Sequence, residues 1–198
     1  MNEKKSRLEQ PAGKEKWTLR RLWKEWGDVV IILAVIFVVF RFVLQVAWVP
    51  SGSMETTIPT KSAMICWRLP FTVSDPVPER GDIITFWSDE LDQVLVKRVI
   101  GLPGDKVSFY GGYVIINDEL LDEEGYLPAL GITACDETFV VPEGCVFFLG
   151  DNRTGSLDAR FWADPYVPVE ALQARPFLVI SIGRDQCWQG VRFLHREG

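Results

Sequence analysis

The chain has 198 residues, 47% of them hydrophobic, and a formal net charge of −6 at pH 7. This length allows one compact domain plus an appendage. The acidic balance leaves no broad basic surface, which argues against nucleic-acid binding. The chain also has one histidine and no C-x-x-C pair, which argues against a structural zinc site.

The four cysteines are Cys66, Cys135, Cys145 and Cys187. Outside the cytoplasm, Cys135 and Cys145 could form a disulfide across a short segment. Free, buried thiols are an equally good interpretation, and the sequence leaves both open.

Residues 29–49 form the predicted membrane anchor. Their only strongly polar side chains are Arg41 and Gln45, and 21 residues match the ~20 that a helix needs to cross a bilayer. The apolar stretch is longer than that of a cleaved signal peptide, and Gln45 fits poorly at −3 from Ala47. We therefore expect an uncleaved anchor.

Arg41 and the flanking charges predict the topology. A charge at the bilayer centre costs about 2.5–3.5 kcal/mol, so we expect the helix to start near Leu22, with Arg41 at the outer surface and 42–49 leaving as a strand. Residues 1–28 hold eight Lys/Arg and five Asp/Glu, whereas the remainder holds 13 basic and 22 acidic residues. Short basic flanks stay in the cytoplasm. This predicts a single-pass plasma-membrane protein with a cytoplasmic N-terminal segment and an extracytoplasmic domain over 50–198.

Beyond the anchor, short apolar runs alternate with turn residues. Strands are predicted over 63–69, 83–87, 94–100, 107–110, 113–117, 139–141, 145–149 and 177–182. Gly111-Gly112 and the polar turn at 88–92 favour hairpins. The predicted fold class is mainly β, a compact antiparallel β-barrel-like core with one N-terminal transmembrane helix.

Hydrolytic chemistry in this chain has to proceed without a histidine base. His195, the only histidine, lies near the C-terminus, where a buried imidazole is seldom held in place. No glycine-rich phosphate loop or metal-ligand cluster is visible. Lysine is then the realistic general base.

Residues 49–54 read VPSGSM, just after the anchor. By composition alone, Pro-Ser-Gly-Ser is a linker. The functional interpretation makes Ser53 a nucleophile, with Gly52 allowing close approach of a substrate carbonyl. The Ser53 N–H and the Ser51 hydroxyl then face the developing oxyanion.

Lys97 lies in an otherwise apolar run, VLVKRVI over 94–100. In a strand, Lys97 and Arg98 point to opposite faces, so one of them points inward or into a cleft unless the strand lies at an edge. Aliphatic surroundings lower a lysine pKa, and a neutral amine can take a serine proton near pH 7. The competing interpretation is a gatekeeper lysine on an edge strand.

A polar loop over 150–160, GDNRTGSLDAR, follows the apolar run 145–149. Its charges are either solvated or form an ion-pair cluster that makes the loop rigid. The charged residues are Asp151, Arg153, Asp158 and Arg160. In the second case Ser156 is placed to hydrogen-bond and orient the lysine amine.

These segments together resemble the type I signal peptidases, or bacterial leader peptidases, the Ser/Lys protease family that processes exported preproteins. Residues 50–54 match the nucleophile box of that family, and 96–105 (VKRVIGLPGD) match its lysine box almost letter for letter. Residues 81–86 are similar to the box between them. The loop 150–153 with Ser156, Asp158 and Arg160 matches the last box.

The resemblance implies Ser53 as nucleophile, Lys97 as general base and Ser51 as a side-chain oxyanion donor beside the Ser53 N–H. Ser156 would orient Lys97. The implied structural supports are Arg98, Asp151, Arg153, Asp158 and Arg160. Substrate residues at −1 and −3 are expected in shallow pockets lined by Val49 and Val96, and no metal or organic cofactor is expected.

The implied substrates are exported preproteins at the outer surface of the bilayer. Thr56 and Ala159 depart from the family pattern, since many members have proline and serine there. Two alternatives stay open at this stage. One is a specialised Ser/Lys processing peptidase of a conjugation system, and the other is a catalytically silent, membrane-anchored β-domain that binds extended peptides.

Overall fold

A computed structural model of the chain describes residues 19–73, 78–127, 133–181 and 190–194. It divides into two compact units, Met1–Val38 and Val39–Gly198. Most of the basic segment 1–28 lies outside the described residues, as do Cys187 and His195.

The described part of the first unit is helix α1, Leu19–Val38. The helical stretch Trp23–Val43 is long and apolar enough to cross a membrane, with a mean hydropathy of 2.4. Its large aliphatic and aromatic side chains are exposed, as expected of a helix that contacts lipid. In the second unit, a π-helical turn, Val39–Val43, contains Arg41 and leads directly into a strand at Leu44.

The described part of the second unit contains twelve strands. They are β1 Leu44–Val49, β2 Ser62–Trp67, β3 Ile83–Ser88, β4 Gln93–Gly101, β5 Lys106–Tyr110, β6 Tyr113–Ile116, β7 Glu119–Leu120, β8 Phe139–Val140, β9 Cys145–Leu149, β10 Tyr166–Pro168, β11 Leu172–Ser181 and β12 Gly190–Phe193. Two short helices add to them, α2 Pro70–Val73 and a 3₁₀ turn Val169–Ala171.

The strands form two antiparallel sheets. The larger has the order β1-β2-β11-β3-β4-β9-β10, with β12 also paired to β11, and the smaller has the order β7-β6-β5-β8. The mainly-β antiparallel architecture with one apolar N-terminal helix is therefore confirmed. In the described part of the chain the larger sheet is open, because β1 and β10 do not pair with each other.

Strand β11 is longer than the sequence predicts. The sequence predicts a strand over 177–182, whereas the strand begins at Leu172, and residue 182 lies outside the described residues. Pro176 lies at a register shift in the pairing with β2, and a bulge is where a sheet tolerates a residue without an N–H. The strand therefore continues through Pro176 and begins four residues before it.

Strand β4 is the element that positions the site. It pairs with β3 on one side and β9 on the other, so it lies inside the sheet. Its second half, from Lys97 to Gly101, is buried, because apolar clusters on both faces include Val99 and Ile100. The interpretation of Lys97 as an edge-strand gatekeeper is wrong.

Candidate active site

A cleft of about 450 Å³ lies between β1, β4 and the segment that follows β1. Five of the predicted residues line it, namely Val49, Ser51, Ser53, Val96 and Lys97. The proposed nucleophile and base are 44 positions apart in the sequence. The fold therefore brings the nucleophile box and the lysine box to one cavity.

Lys97 is held in a protected environment. Its side chain is only 2% exposed, and its Nζ donates a hydrogen bond of 3.0 Å to Ser156 Oγ. Burial lowers the pKa of Lys97 to about 8, against an opposing effect of Asp158, with smaller contributions from Arg160 and Asp151. An amine with this pKa is partly neutral near physiological pH and can accept a proton.

Gly150 is the point where the loop 150–160 meets the segment that contains Ser53. A Cβ atom at this position would overlap the Ser156 side chain and lie 2.5 Å from the carbonyl oxygen of Ser53. Only glycine allows so close an approach. The last box therefore packs directly against the backbone of the nucleophile.

Asn152 ties the same two segments together. Its backbone N–H donates to Ser53 O at 3.1 Å, and its side-chain Nδ2 donates to Gly52 O at 2.9 Å. Asn152 belongs to the last box, but the sequence alone assigns it no role. The contact spans 100 positions, so no local pattern indicates it.

Arg98 and Asp151 form a buried, bidentate ion pair. Arg98 Nε and Nη2 donate to the two carboxylate oxygens at 2.8 and 2.7 Å, and Nη1 donates to Gly81 O at 2.8 Å. Thr57 donates its hydroxyl to the same carboxylate at 2.5 Å. Asp151 thus links β4 to the helical turn that follows Ser53.

Arg160 and Asp158 form a second pair within the loop, at 2.8 and 2.9 Å. Asp158 also accepts the Gly150 N–H at 2.9 Å, and Arg160 donates to the carbonyl oxygen of Arg153 at 2.8 Å. These four residues of the loop are therefore connected to one another. The loop is an ordered ion-pair cluster, and the solvated interpretation of its charges is wrong.

Arg153 has a partner that the sequence reasoning missed. It makes a bidentate ion pair with Glu123 and donates from Nε to Gly150 O at 3.1 Å. Tyr126 donates its hydroxyl to Glu123 at 2.7 Å, and its ring lies 3.8 Å from the Arg98 guanidinium. One signal was available, because the predicted structural supports comprise three arginines and only two aspartates, and a buried cation needs a carboxylate.

Both Lys97 and Arg98 are buried, although they point to opposite faces of β4. The sequence required only one of them to be inward. Arg98, 3% exposed, is covered by Tyr126 and the Asp151 carboxylate on its own face. The segment 118–127, which contains Tyr126, therefore supplies cover that the strand pattern alone does not predict.

Three of the four cysteines lie within the described residues. Cys66, Cys135 and Cys145 are free thiols there, so the disulfide interpretation of Cys135 and Cys145 is not the arrangement found. Burial raises the pKa of Cys66 to about 12, so this thiol is unreactive. Within the same ranges, no group of three His, Cys, Asp or Glu side chains is placed to hold a metal.

Comparison with known proteins identifies the family. The sequence profile of the family described as "Signal peptidase, peptidase S26" matches residues 23–181, from the apolar helix to the end of β11. "Probable signal peptidase I-2" of Synechocystis sp. is 32% identical over 163 residues, covering 79% of this chain and 72% of that protein. "Signal peptidase I" of Leptolyngbya laminosa is 34% identical over 142 residues, covering 68% and 67%.

Among solved structures, a signal peptidase I from Enterococcus faecalis is 32% identical, covers 52% of this chain and 98% of its own, and has a TM-score of 0.44. The profile match extends over the anchor and all four boxes. The profile match and the two sequence relatives show that the chain belongs to the signal peptidase family, peptidase S26.

Proposed function

We propose that this membrane-anchored signal peptidase cleaves exported preproteins with Ser53 as nucleophile and Lys97 as general base. The observation that carries the proposal is that both residues line one cleft, with the Lys97 amine buried and its pKa lowered to about 8. A serine hydroxyl is a weak nucleophile until a base takes its proton. A neutral lysine can do so, whereas a charged one cannot.

The reaction proceeds in two displacement steps. Lys97 takes the hydroxyl proton of Ser53 as the Oγ atom attacks the substrate carbonyl carbon. Collapse of the tetrahedral intermediate breaks the C–N bond, Lys97 gives its proton to the leaving amine, and an acyl-enzyme remains. Lys97 then removes a proton from water as the water oxygen attacks the ester carbonyl carbon. The bond between that carbon and Ser53 Oγ breaks, Lys97 returns the proton to Ser53 Oγ, and the signal peptide leaves with a new carboxyl group.

Oxyanion stabilisation is assigned to the Ser53 N–H and the Ser51 hydroxyl. The peptide between Gly52 and Ser53 is planar, so its N–H points opposite to the Gly52 carbonyl. Asn152 Nδ2 donates to that carbonyl at 2.9 Å and the Glu55 N–H donates to it at 3.1 Å, so the two together fix the direction of the Ser53 N–H. A donor that is oriented before the reaction is more effective than one that must reorganise during it.

Substrate binding is assigned to the cleft between β1 and β4. Strand β1 pairs only with β2 among the described strands, so its other edge is free to pair with an extended peptide. Val49 and Val96 line the cleft close to Ser53, together with Ala47 and Met64. These apolar side chains suit small residues at −1 and −3.

The proposed orientation is N-terminus in the cytoplasm and catalytic domain outside. It rests on the basic character of residues 1–28 and the acidic character of the rest. The apolar span ends at Val43, and Ser53 follows ten positions later. Enzyme and signal peptide are then confined near one plane, which raises their effective concentration.

In vitro cleavage of a preprotein by the full-length enzyme tests this function. Wild type should release a new N-terminus after a small residue, and Ser53→Ala and Lys97→Met should each reduce the rate at least a thousandfold while remaining folded. Full activity of Lys97→Met at neutral pH would overturn the base assignment. Cleavage of several unrelated preproteins distinguishes a general signal peptidase from an enzyme with one dedicated substrate.

A further inference from the structure

Thr57 lies at the far end of the short turn that begins beside the nucleophile. Two backbone hydrogen bonds close this turn, from the Glu55 N–H to Gly52 O and from the Thr57 N–H to Met54 O, both at 3.1 Å. Thr57 follows Ser53 by four positions. Because these hydrogen bonds connect the two ends, a shift of the turn at Thr57 is passed to the backbone of Ser53.

The Thr57 hydroxyl is fixed to the last box. Its Oγ1 atom donates to Asp151 Oδ2 at 2.5 Å, across 94 positions of sequence. Hydrogen bonds of this length from a hydroxyl to a carboxylate are among the stronger ones in proteins. The same carboxylate accepts two hydrogen bonds from Arg98, which follows Lys97 in β4. A chain of side-chain hydrogen bonds therefore joins the turn of the nucleophile to the strand of the base.

Other contacts hold the turn at its Ser53 end or by packing. Asn152 donates two hydrogen bonds to the backbone at the Ser53 end. Met54 and Ile58 are fully buried in an apolar cluster, but the hydrophobic effect that favours their burial is not directional. Thr57 adds a directional side-chain contact at the far end, so the turn is held at two points and its tilt is fixed.

Thr57 is remote from the substrate cleft. It lines a second cavity, of about 530 Å³, together with Arg98 and Tyr126, whereas Ser53 and Lys97 line the cleft. Neighbouring residues of a strand point to opposite faces, and the contact of Thr57 leads to Arg98, not to Lys97. A substitution at Thr57 can therefore shift the nucleophile without touching the substrate or the base.

We propose that Thr57 is a positioning residue, which through Asp151 holds the Ser53 hydroxyl within reach of the catalytic base. This inference rests on the proposed function of the cleft. Proton transfer requires the hydroxyl and the amine to be within hydrogen-bond distance in the reacting complex. A misplacement of about 1 Å that arises far from the chemistry can cost roughly a hundredfold in rate. Loss of the Thr57 contact should therefore lower kcat and leave substrate binding unchanged.

The test compares two substitutions with opposite losses. Thr57→Val keeps the branched shape and loses the hydroxyl, whereas Thr57→Ser keeps the hydroxyl and loses a methyl group. The full-length enzyme in detergent cleaves a soluble peptide with alanine at −3 and −1, and kcat is expressed per folded enzyme, with the folded fraction taken from denaturant unfolding. Thr57→Val should lower kcat about ten- to a hundredfold with KM unchanged, and Thr57→Ser should recover most of the wild-type kcat. Packing alone would make the serine variant the slower of the two.

The pH profile tests whether Thr57 acts on the nucleophile or on the base. The charged groups that influence Lys97 are Asp158, Arg160 and Asp151, and Thr57→Val leaves all of them in place. The midpoint of the kcat/KM profile should therefore match that of wild type, while the plateau falls with kcat. A shifted midpoint would mean that Thr57 acts through the protonation of Lys97 and would overturn the proposal.

Thr60→Val is the matched control. Thr60 Oγ1 donates to Glu55 at 2.8 Å, a hydrogen bond that stays within the segment after Ser53 and does not reach the last box. This variant should keep the wild-type kcat. A wild-type kcat in Thr57→Val, or an equal loss in Thr57→Ser or Thr60→Val, would overturn the assignment of Thr57. Each of these results, obtained with cleavage that still depends on Ser53, leaves the proposed function intact, whereas cleavage that persists in Ser53→Ala would contradict the proposed function itself.

Discussion

The Nζ atom of Lys97 lies 3.0 Å from the Oγ atom of Ser156, and both side chains are buried. A neutral amine that donates one N–H to Ser156 keeps its lone pair for another group. Ser53 lines the same cleft as Lys97. Ser156 therefore acts as a positioning residue in the proposed mechanism, because it limits the rotation of the amine about its flexible stem.

The pH dependence of cleavage follows from the state of Lys97. Burial lowers the pKa of Lys97 to about 8, and only the neutral form acts as base. The value of kcat/KM should rise about tenfold per pH unit below the pKa and level off above it. A pH profile with an uncharged peptide checks this, and a plateau that begins below pH 6 would contradict it.

Lys97→Met should stabilise the protein at neutral pH while abolishing activity. The folded-state pKa is lower than the ordinary value of 10.5, so the unfolded chain binds the proton more tightly and a charged Lys97 destabilises the fold. We expect the free energy of unfolding at pH 7 to rise by about 1–3 kcal/mol, at about 1.4 kcal/mol per pKa unit. Denaturant unfolding measures the change.

The gain in the free energy of unfolding of Lys97→Met should shrink as the pH rises from 8 to 10.5, because Lys97 of the wild type loses its proton over that range. Lys106→Met is the control. The Lys106 side chain is 48% exposed and pairs with Asp118 at the surface. A similar gain in both variants would mean that the lysine charge at 97 carries no special cost.

Gly150→Ala should abolish cleavage. The added methyl group would overlap Ser156 and press on the carbonyl of Ser53, so the loop or the nucleophile must move. Overpacking of this kind costs about 1–3 kcal/mol. Gly144→Ala is the control, since Gly144 has a positive φ but open space around it, and its cost is backbone strain alone. Equal activities of the two variants would contradict the role of the close approach.

Asn152→Ala should lower kcat by about a hundredfold or more with little change in KM, because it removes one of the two hydrogen bonds that hold the peptide plane aiming the Ser53 N–H, and leaves that from the Glu55 N–H. Asn117→Ala removes a comparable amide contact, a 2.7 Å hydrogen bond to Asp105, in a turn whose residues do not line the cleft. Steady-state measurement of kcat and KM for both variants tests this prediction. A rise in KM alone for Asn152→Ala would assign this residue to substrate binding instead.

Thr56→Gly should stabilise the loop beside the nucleophile. Thr56 has a φ of 84°, a region that a β-branched residue adopts only under strain. We expect a gain of about 1 kcal/mol in the free energy of unfolding, and a smaller gain for Lys61→Gly, whose φ is 58° and whose side chain is unbranched. Thermal or denaturant unfolding compares the two.

The positive φ of Thr56 explains why this position departs from the family pattern, in which many members have proline. Proline is fixed near φ −65°, so Thr56→Pro requires the turn after Ser53 to change its conformation. We expect this substitution to destabilise the protein, and activity at the wild-type level with unchanged stability would contradict the turn described here.

Local signals in the sequence were sufficient to predict the anchor, most strands and the family of this protein. The apolar span, the Gly111-Gly112 hairpin and the β-branched run around Lys97 are properties of neighbouring residues, and their periodicity and turn chemistry predict the anchor and most strands. The four boxes likewise identify the family from short segments. These features need no knowledge of what packs against them.

The tertiary structure decided the features that depend on distant residues. Lys97 lies in an interior strand because β3 and β9 pair on either side of it, and Ser156 reaches it from 59 positions away. Glu123 neutralises Arg153 from a segment whose sequence is merely acidic. Burial and pairing depend on neighbours that the fold supplies, so the environment of a side chain cannot be read from its own segment, whereas turns and strand periodicity can.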